Sequence, residues 1–207
     1  MLTLYEFALS GNCHKVRLLL SFLGLEYRSV LLNGAQGEHK TPQFLALNPL
    51  GQVPLLEDGP AVVRDSQAIL VYLARRYGAA QSELWLPADA LSNAHVAAWL
   101  SVAAYEVARG PNALRLHHKW GRALELEQAQ AISMQLLQMM EARLSGQHWL
   151  AASHITIADV ALYPYLALSK EAQLSLAEYP AVRAWLARIE AMPGYLSMPG
   201  IVLQAQD

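Results

Sequence analysis

The sequence predicts a mixed α/β domain over residues 1–78, a linker over 79–90 and an all-helical domain over 91–207. Three observations carry this division. Strand and helix patterns alternate through the first third of the chain. Beyond the linker, apolar residues recur only at helical spacing. Between the two, Ala79 to Ala90 has weak periodicity and contains Pro87.

The elements follow in order. Leu2, Leu4 and Phe7 lie in a short apolar segment that reads as a strand. Val16, Leu19, Leu20 and Leu23 fall at i, i+3, i+4 and i+7, a helix stripe that Gly24 stops. Tyr27 to Leu32 reads as a second strand, and Thr41 to Leu47 as a short helix ended by Asn48-Pro49. Val53 to Glu57 and Ala61 to Val63 flank Asp58-Gly59, the signal of a hairpin. Ile69, Tyr72, Leu73 and Tyr77 make another helix stripe, from Ser66 to Gly78. The order β-α-β-α-β-β-α predicts a small mixed sheet covered by helices. In the second part, Ser92 to Ala108 reads as one long helix, broken by Gly110-Pro111. Ile132, Leu136, Met140 and Leu144 mark the next helix; Thr156 to Ser169 and Ala181 to Met192 give two more. The residues after Pro193 read as a loosely packed tail.

Composition excludes several classes of function. The chain is 54% hydrophobic and 15% charged, which excludes a disordered chain. A net charge of −2 supplies no basic field for nucleic acid. The single cysteine, Cys13, rules out a disulfide framework within one chain and metal sites built on several cysteines. The first residues lack the positive start of a secretory signal, and no apolar run reaches the length of a membrane span.

Three segments of the first domain carry candidate chemistry. In Ser10-Gly-Asn-Cys-His-Lys-Val-Arg17 a strand hands over to a helix, whose N-terminus offers free N–H groups and a positive dipole end. Ser10 and Asn12 can each donate a hydrogen bond there, and a thiolate beside them would be stabilised. Either residue can instead simply cap the helix. In Asn48-Pro-Leu-Gly-Gln-Val-Pro-Leu55 the Val53-Pro54 bond can be cis, turning the backbone of Val53 outward to pair with an extended peptide; an ordinary trans turn fits the pattern too. In Asp65-Ser-Gln-Ala-Ile69, Ser66 at a helix start suits a carboxylate and Asp65 an ammonium group, together the two charges of an amino-acid head group. N-capping is the alternative.

Taken together, the Asn48 to Leu55 and Asp65 to Ile69 segments resemble the signature of the cytosolic glutathione transferases, and the resemblance extends over nearly the whole chain. Ser153-His-Ile-Thr-Ile-Ala-Asp159 resembles that family's helix cap, with Thr156 at the N-cap, Asp159 three residues on and Pro164 further along. The resemblance implies a thioredoxin-like first domain and a helical-bundle second domain. It implies that glutathione binds as co-substrate, with its γ-glutamyl end at Asp65 and Ser66. Its cysteinyl backbone would pair with Val53 ahead of a cis Pro54. Its glycyl carboxylate would meet His39, Lys40 and Gln52. Ser10 matches the serine that activates the thiol in theta- and zeta-like members, and Asn12 with His14-Lys15 matches the loop of nu-like bacterial members. A small electrophile would receive the sulfur, and the enzyme would be a cytoplasmic, detoxifying homodimer without metal, nucleic-acid or membrane partners.

Cys13 lies off the position of the cysteine used by beta- and omega-like members; at the helix start its thiol can be activated, or it is a buried small apolar side chain. Tyr105, Arg109, His117 and Trp120 line an acceptor-substrate pocket on one reading and pack between helices on another. Adjacent His117 and His118 do not share a helix face, so no metal is expected there. Within the family's range, a glutathione-dependent peroxidase or disulfide reductase, an isomerase and a non-catalytic interaction protein are the alternatives to a transferase.

Overall fold

The computed structural model describes residues 1–78 and 82–203. Its sheet is formed by β1 (Leu2–Glu6), β2 (Tyr27–Leu31), β3 (Leu55–Asp58) and β4 (Ala61–Arg64), in the order β2-β1-β3-β4. β1 runs parallel to β2; the β1–β3 and β3–β4 pairs are antiparallel. The first half contributes α1 (Gly11–Phe22), a 3-10 turn (Glu38–Lys40), α2 (Pro42–Leu47) and α3 (Ser66–Tyr77). β3 begins at Leu55, two residues later than the sequence predicts, because Pro54 has no N–H for a ladder.

The second half is helical: α4 (Ser82–Trp85), α5 (Ala90–Ala104), α6 (Glu106–Arg109), α7 (Pro111–Trp120), α8 (Leu126–Gly146), α9 (Ile157–Ala167) and α10 (Pro180–Glu190). The predicted helix from Ser92 to Ala108 is interrupted at Tyr105, and the predicted break at Gly110-Pro111 separates α6 from α7. The segment read as a linker is packed where it is described. Trp85 is buried and stacks on Phe22 at 5.6 Å, and Asp89 accepts from the Ser92 N–H to cap α5. Residues 79–81 of that segment lie outside the described residues.

α9 holds the two halves together. Every residue from Ile157 to Ala167 is buried, as expected of a helix apolar on all sides. It packs against α1, α3 and α5, so that Leu18 and Leu19 of α1, Leu70 of α3 and Leu162 of α9 belong to one continuous core. Its start is a capping box: the Thr156 hydroxyl accepts from the Ala158 N–H, while Asp159 accepts from the Thr156 N–H at 2.9 Å. Asp159 also accepts from the Leu150 N–H and from the Trp185 indole.

The tail after Pro193 is packed, not loose, over residues 194–198. Ser21 of α1 donates to the Gly194 carbonyl at 2.6 Å, the Tyr195 hydroxyl meets that of Tyr163, and Met198 is buried. These are contacts between residues far apart in sequence, which a periodicity search along the chain does not register.

Candidate active site

The register of the sheet gathers the candidate segments at one edge. Tyr5 lies opposite Leu55, and Leu55 opposite Arg64. The loop leaving β1, the Val53-Pro54 pair entering β3 and the Asp65-Ser66 pair leaving β4 therefore stand side by side. Glu6 pairs with Leu31 at the same end, which brings the segment after β2 to that edge as well. Carboxyl-end crevices of this kind are common ligand sites in α/β sheets. Two helices start here, α1 and α3, and each presents its positive dipole end.

The loop from β1 to α1 is fixed from beneath. Buried Glu6 accepts from Arg17 at 2.5 Å and from Ser29 at 2.6 Å, and Arg17 also donates to the Ala8 carbonyl. Ser10 is the N-cap of α1: its Oγ accepts from the Cys13 N–H at 3.3 Å. The capping reading of Ser10 is thus realised, and it leaves the chemistry open. An accepting hydroxyl still has its own proton to donate. Ser10 and Asn12 are half-buried.

Cys13 is fully buried, and its sulfur accepts from the Phe7 N–H at 3.4 Å. Burial pushes its thiol up to about 11, so the activated-thiol reading gives way to that of a buried small side chain. His14 behind it is also buried, which pushes its imidazole down to about 3.

At the second segment the Val53–Pro54 bond is cis. Gln52 is exposed, and its carbonyl accepts from the Asn48 amide at 2.8 Å. His39 lies edge-on to Phe7 at 5.2 Å, and Lys40 donates to the Leu50 carbonyl at 3.0 Å. Gly51, at φ +55, makes this join possible: a Cβ there would lie 2.7 Å from the His39 carbonyl. The 3-10 turn is thereby docked on the loop that enters β3.

At the third segment Asp65, not Ser66, caps α3. Its Oδ1 accepts from the Gln67 and Ala68 N–H groups at 2.9 and 3.1 Å. Asp65 has φ +75, a conformation costing a non-glycine residue roughly 1–2 kcal/mol, and it is exposed. Ser66 is the first helical residue, buried, and donates to the Gln67 side chain at 2.5 Å.

The four second-domain candidates divide into separate groups. Arg109 lies over the Tyr105 ring at 5.0 Å and lines a hollow of about 330 Å³ with Ala113, Glu125 and Gln128; the other three do not line it. The Nδ1 of His117 meets the Arg122 carbonyl at 2.8 Å, at the end of α7. Trp120 lies under the Arg115 guanidinium at 4.8 Å, and Arg115 is ion-paired to Glu171. Among the described residues, no group of three or more His, Cys, Asp and Glu is placed to hold a metal.

One contributor escaped the sequence. Tyr165 of α9 lies on Gly11, where a Cβ would come within 2.7 Å of its ring, and its hydroxyl meets the Asn12 backbone. The only local sign was a glycine at the first position of a helix.

Comparison with known proteins agrees with this geometry. Residues 1–75 match the family described as glutathione S-transferase, N-terminal domain, and residues 94–193 match glutathione S-transferase, C-terminal domain. The chain is similar to glutathione S-transferase 3 of Zea mays, 35% identical, over 94% of this chain and 91% of that one. It is similar to the disulfide-bond oxidoreductase YfcG of Escherichia coli, 30% identical, over 93% and 92%. Its fold is similar to that of a glutathione transferase homologue of Drosophila mojavensis with bound glutathione: TM-score 0.84, 29% identity, covering 93% and 88% of the two chains. A thioredoxin-like half joined through α9 to a helical half belongs to a known design: this chain is a member of the glutathione S-transferase family.

Proposed function

We propose that this glutathione transferase activates the glutathione thiol through the Ser10 hydroxyl, with Asn12 as a second donor and the α1 dipole as support. The observation that carries the reading is the direction of the Ser10 hydrogen bond. Its oxygen accepts from the Cys13 N–H, a bond that uses none of its own hydrogen, so the hydroxyl can turn from the neighbouring Cys13 sulfur to a bound one. The magnitudes suffice. Lowering a thiol from about 8.5 to about 6.5 takes roughly 2.7 kcal/mol, and a hydrogen bond to a charged acceptor supplies about 1.5–3 kcal/mol. The thiolate then attacks a small electrophile, its sulfur forming the new bond as the electrophile's leaving group or π electrons are displaced.

In this reading Asp65 receives the ammonium of the γ-glutamyl end and Ser66 its carboxylate. The backbone of Val53, ahead of Pro54, pairs with the cysteinyl unit, and His39, Lys40 and Gln52 face the glycyl carboxylate. Tyr105, Arg109, His117 and Trp120 belong to the acceptor side, of which Arg109 beside its hollow is best supported. The working enzyme is a cytoplasmic homodimer. Exposed Val62 on β4, Leu91 on α5 and Met134 on α8 are apolar side chains that a second copy would cover.

The test is the ultraviolet absorbance of bound thiolate followed against pH. Ser10→Ala should raise the thiol pKa by about 1–2 units and leave glutathione affinity nearly unchanged. If Asn12→Ala raises it and Ser10→Ala does not, the activating role passes to Asn12.

A further inference from the structure

Lys15 is fully buried, with its ammonium bonded to no acceptor among the described residues. An unpaired buried charge is costly, and such groups are kept neutral or put to use. Its place is informative. Lys15 stands one helical turn after Gly11 on the same face of α1, and both face Tyr165: the ring lies on Gly11, and the Lys15 ammonium is 5.5 Å from the ring centre. Long side chains on a helix lean toward its N-terminus, so this ammonium is carried toward the turn that Ser10 caps.

We propose that Lys15 is a positioning residue for the thiolate: a fixed positive charge beneath the first turn of α1 that favours a bound anionic sulfur without touching it. This rests on the reading of the Ser10 end of α1 as the sulfur site. The charged and titratable groups that face Lys15 are Asp65 at the start of α3, Cys13 on its own helix and the Tyr165 phenol on α9; Arg115 of α7 acts on that phenol from beyond. Of these only Asp65 carries negative charge at neutral pH, because burial holds Cys13 and Tyr165 protonated. Burial lowers Lys15 itself to about 8, which leaves it charged at neutral pH. Cation–π attraction to Tyr165 and the field of Asp65 partly offset its desolvation.

A residue kept for packing and one kept for its charge respond oppositely to an isosteric neutral replacement. Lys15→Met keeps the volume and removes the buried charge. Its thermal midpoint should rise, while the pKa of bound glutathione should rise by about one unit. Turnover with a standard aromatic halide at neutral pH should fall several-fold, and KM for glutathione should change little. Lys15→Arg, which keeps the charge, should hold the thiol pKa near the parent value. A bound-thiol pKa equal in Lys15→Met and parent overturns the proposal; so does a lowered midpoint with an unchanged thiol pKa, which marks a packing residue. A parent protein that binds no glutathione would instead overturn the reading of the site itself, so the two failures are told apart.

Discussion

Two helix starts in this molecule are built from the same kind of parts and do opposite things. At the start of α9, Thr156 and Asp159 satisfy each other, and Asp159 spends its remaining capacity on the Leu150 N–H and the Trp185 indole. Both side chains are fully buried. At the start of α1, Ser10 accepts a single backbone bond of 3.3 Å, remains half-buried and has the Cys13 sulfur within reach of its hydroxyl. A closed cap is a folding device. In the proposed reading, a cap left open at a sheet edge beside a buried ammonium receives an anion.

The sharpest way to break this contrast is Asp159→Ala. It leaves the Leu150 and Thr156 N–H groups and the Trp185 indole unpaired in the core. A loss of about 3–5 kcal/mol in unfolding free energy is expected, read from chemical denaturation, with KM for glutathione nearly unchanged. A large change in KM at native stability would mean that the two helix starts are not separate devices.

A smaller effect sharpens the comparison at α3, whose start would combine both roles in the proposed reading. Asp65 caps the helix through Oδ1, and in the proposed reading its charge also meets the ligand's ammonium. Asp65→Asn keeps a capping oxygen and removes the charge; calorimetric titration should show glutathione binding weakened by about 1.5–3 kcal/mol with little change in stability. Asp65→Ala should add about 0.5–2 kcal/mol of lost stability. Equal affinity in parent and Asp65→Asn would remove Asp65 from the ligand site.

The smallest effect on chemistry is expected at Cys13, which lies inside the open cap but is fully buried. Cys13→Ala should keep most conjugating activity, and mass spectrometry of the parent treated with oxidised glutathione should find no adduct on this sulfur. Loss of activity together with an adduct would move the protein to thiol–disulfide chemistry.

The closed cap was readable in the sequence because its reciprocal pair, Thr156 and Asp159, lies within four residues; the Leu150 and Trp185 bonds were not. The open one was readable only in part. Ser10 and Asn12 stood out as donors at a strand-to-helix junction, but Asp65 and Ser66 are both eligible caps, and backbone conformation decided for Asp65. Lys15 entered the sequence reading only as part of the His14-Lys15 pair of the family resemblance, with no role of its own, because a lysine ordinarily signals a solvated face. The stripe of Val16, Leu19, Leu20 and Leu23 marks part of the buried surface of α1, and Lys15 joins that surface only when α9 packs on it. The docking of the tail was invisible for the same reason: its partners are Ser21 and Tyr163.

The tail contact bears on how the protein is made. Ser21 and Gly194 are 173 residues apart in sequence. At about 5–20 residues per second of synthesis, roughly ten to thirty seconds separate their appearance at the ribosome. For most of that interval the helix that bears Ser10, Gly11 and Lys15 lacks both α9 and the tail. The N-terminal half therefore leaves the ribosome with an apolar helix face uncovered, and the candidate site assumes its final surroundings only when α9 and the segment around Gly194 emerge.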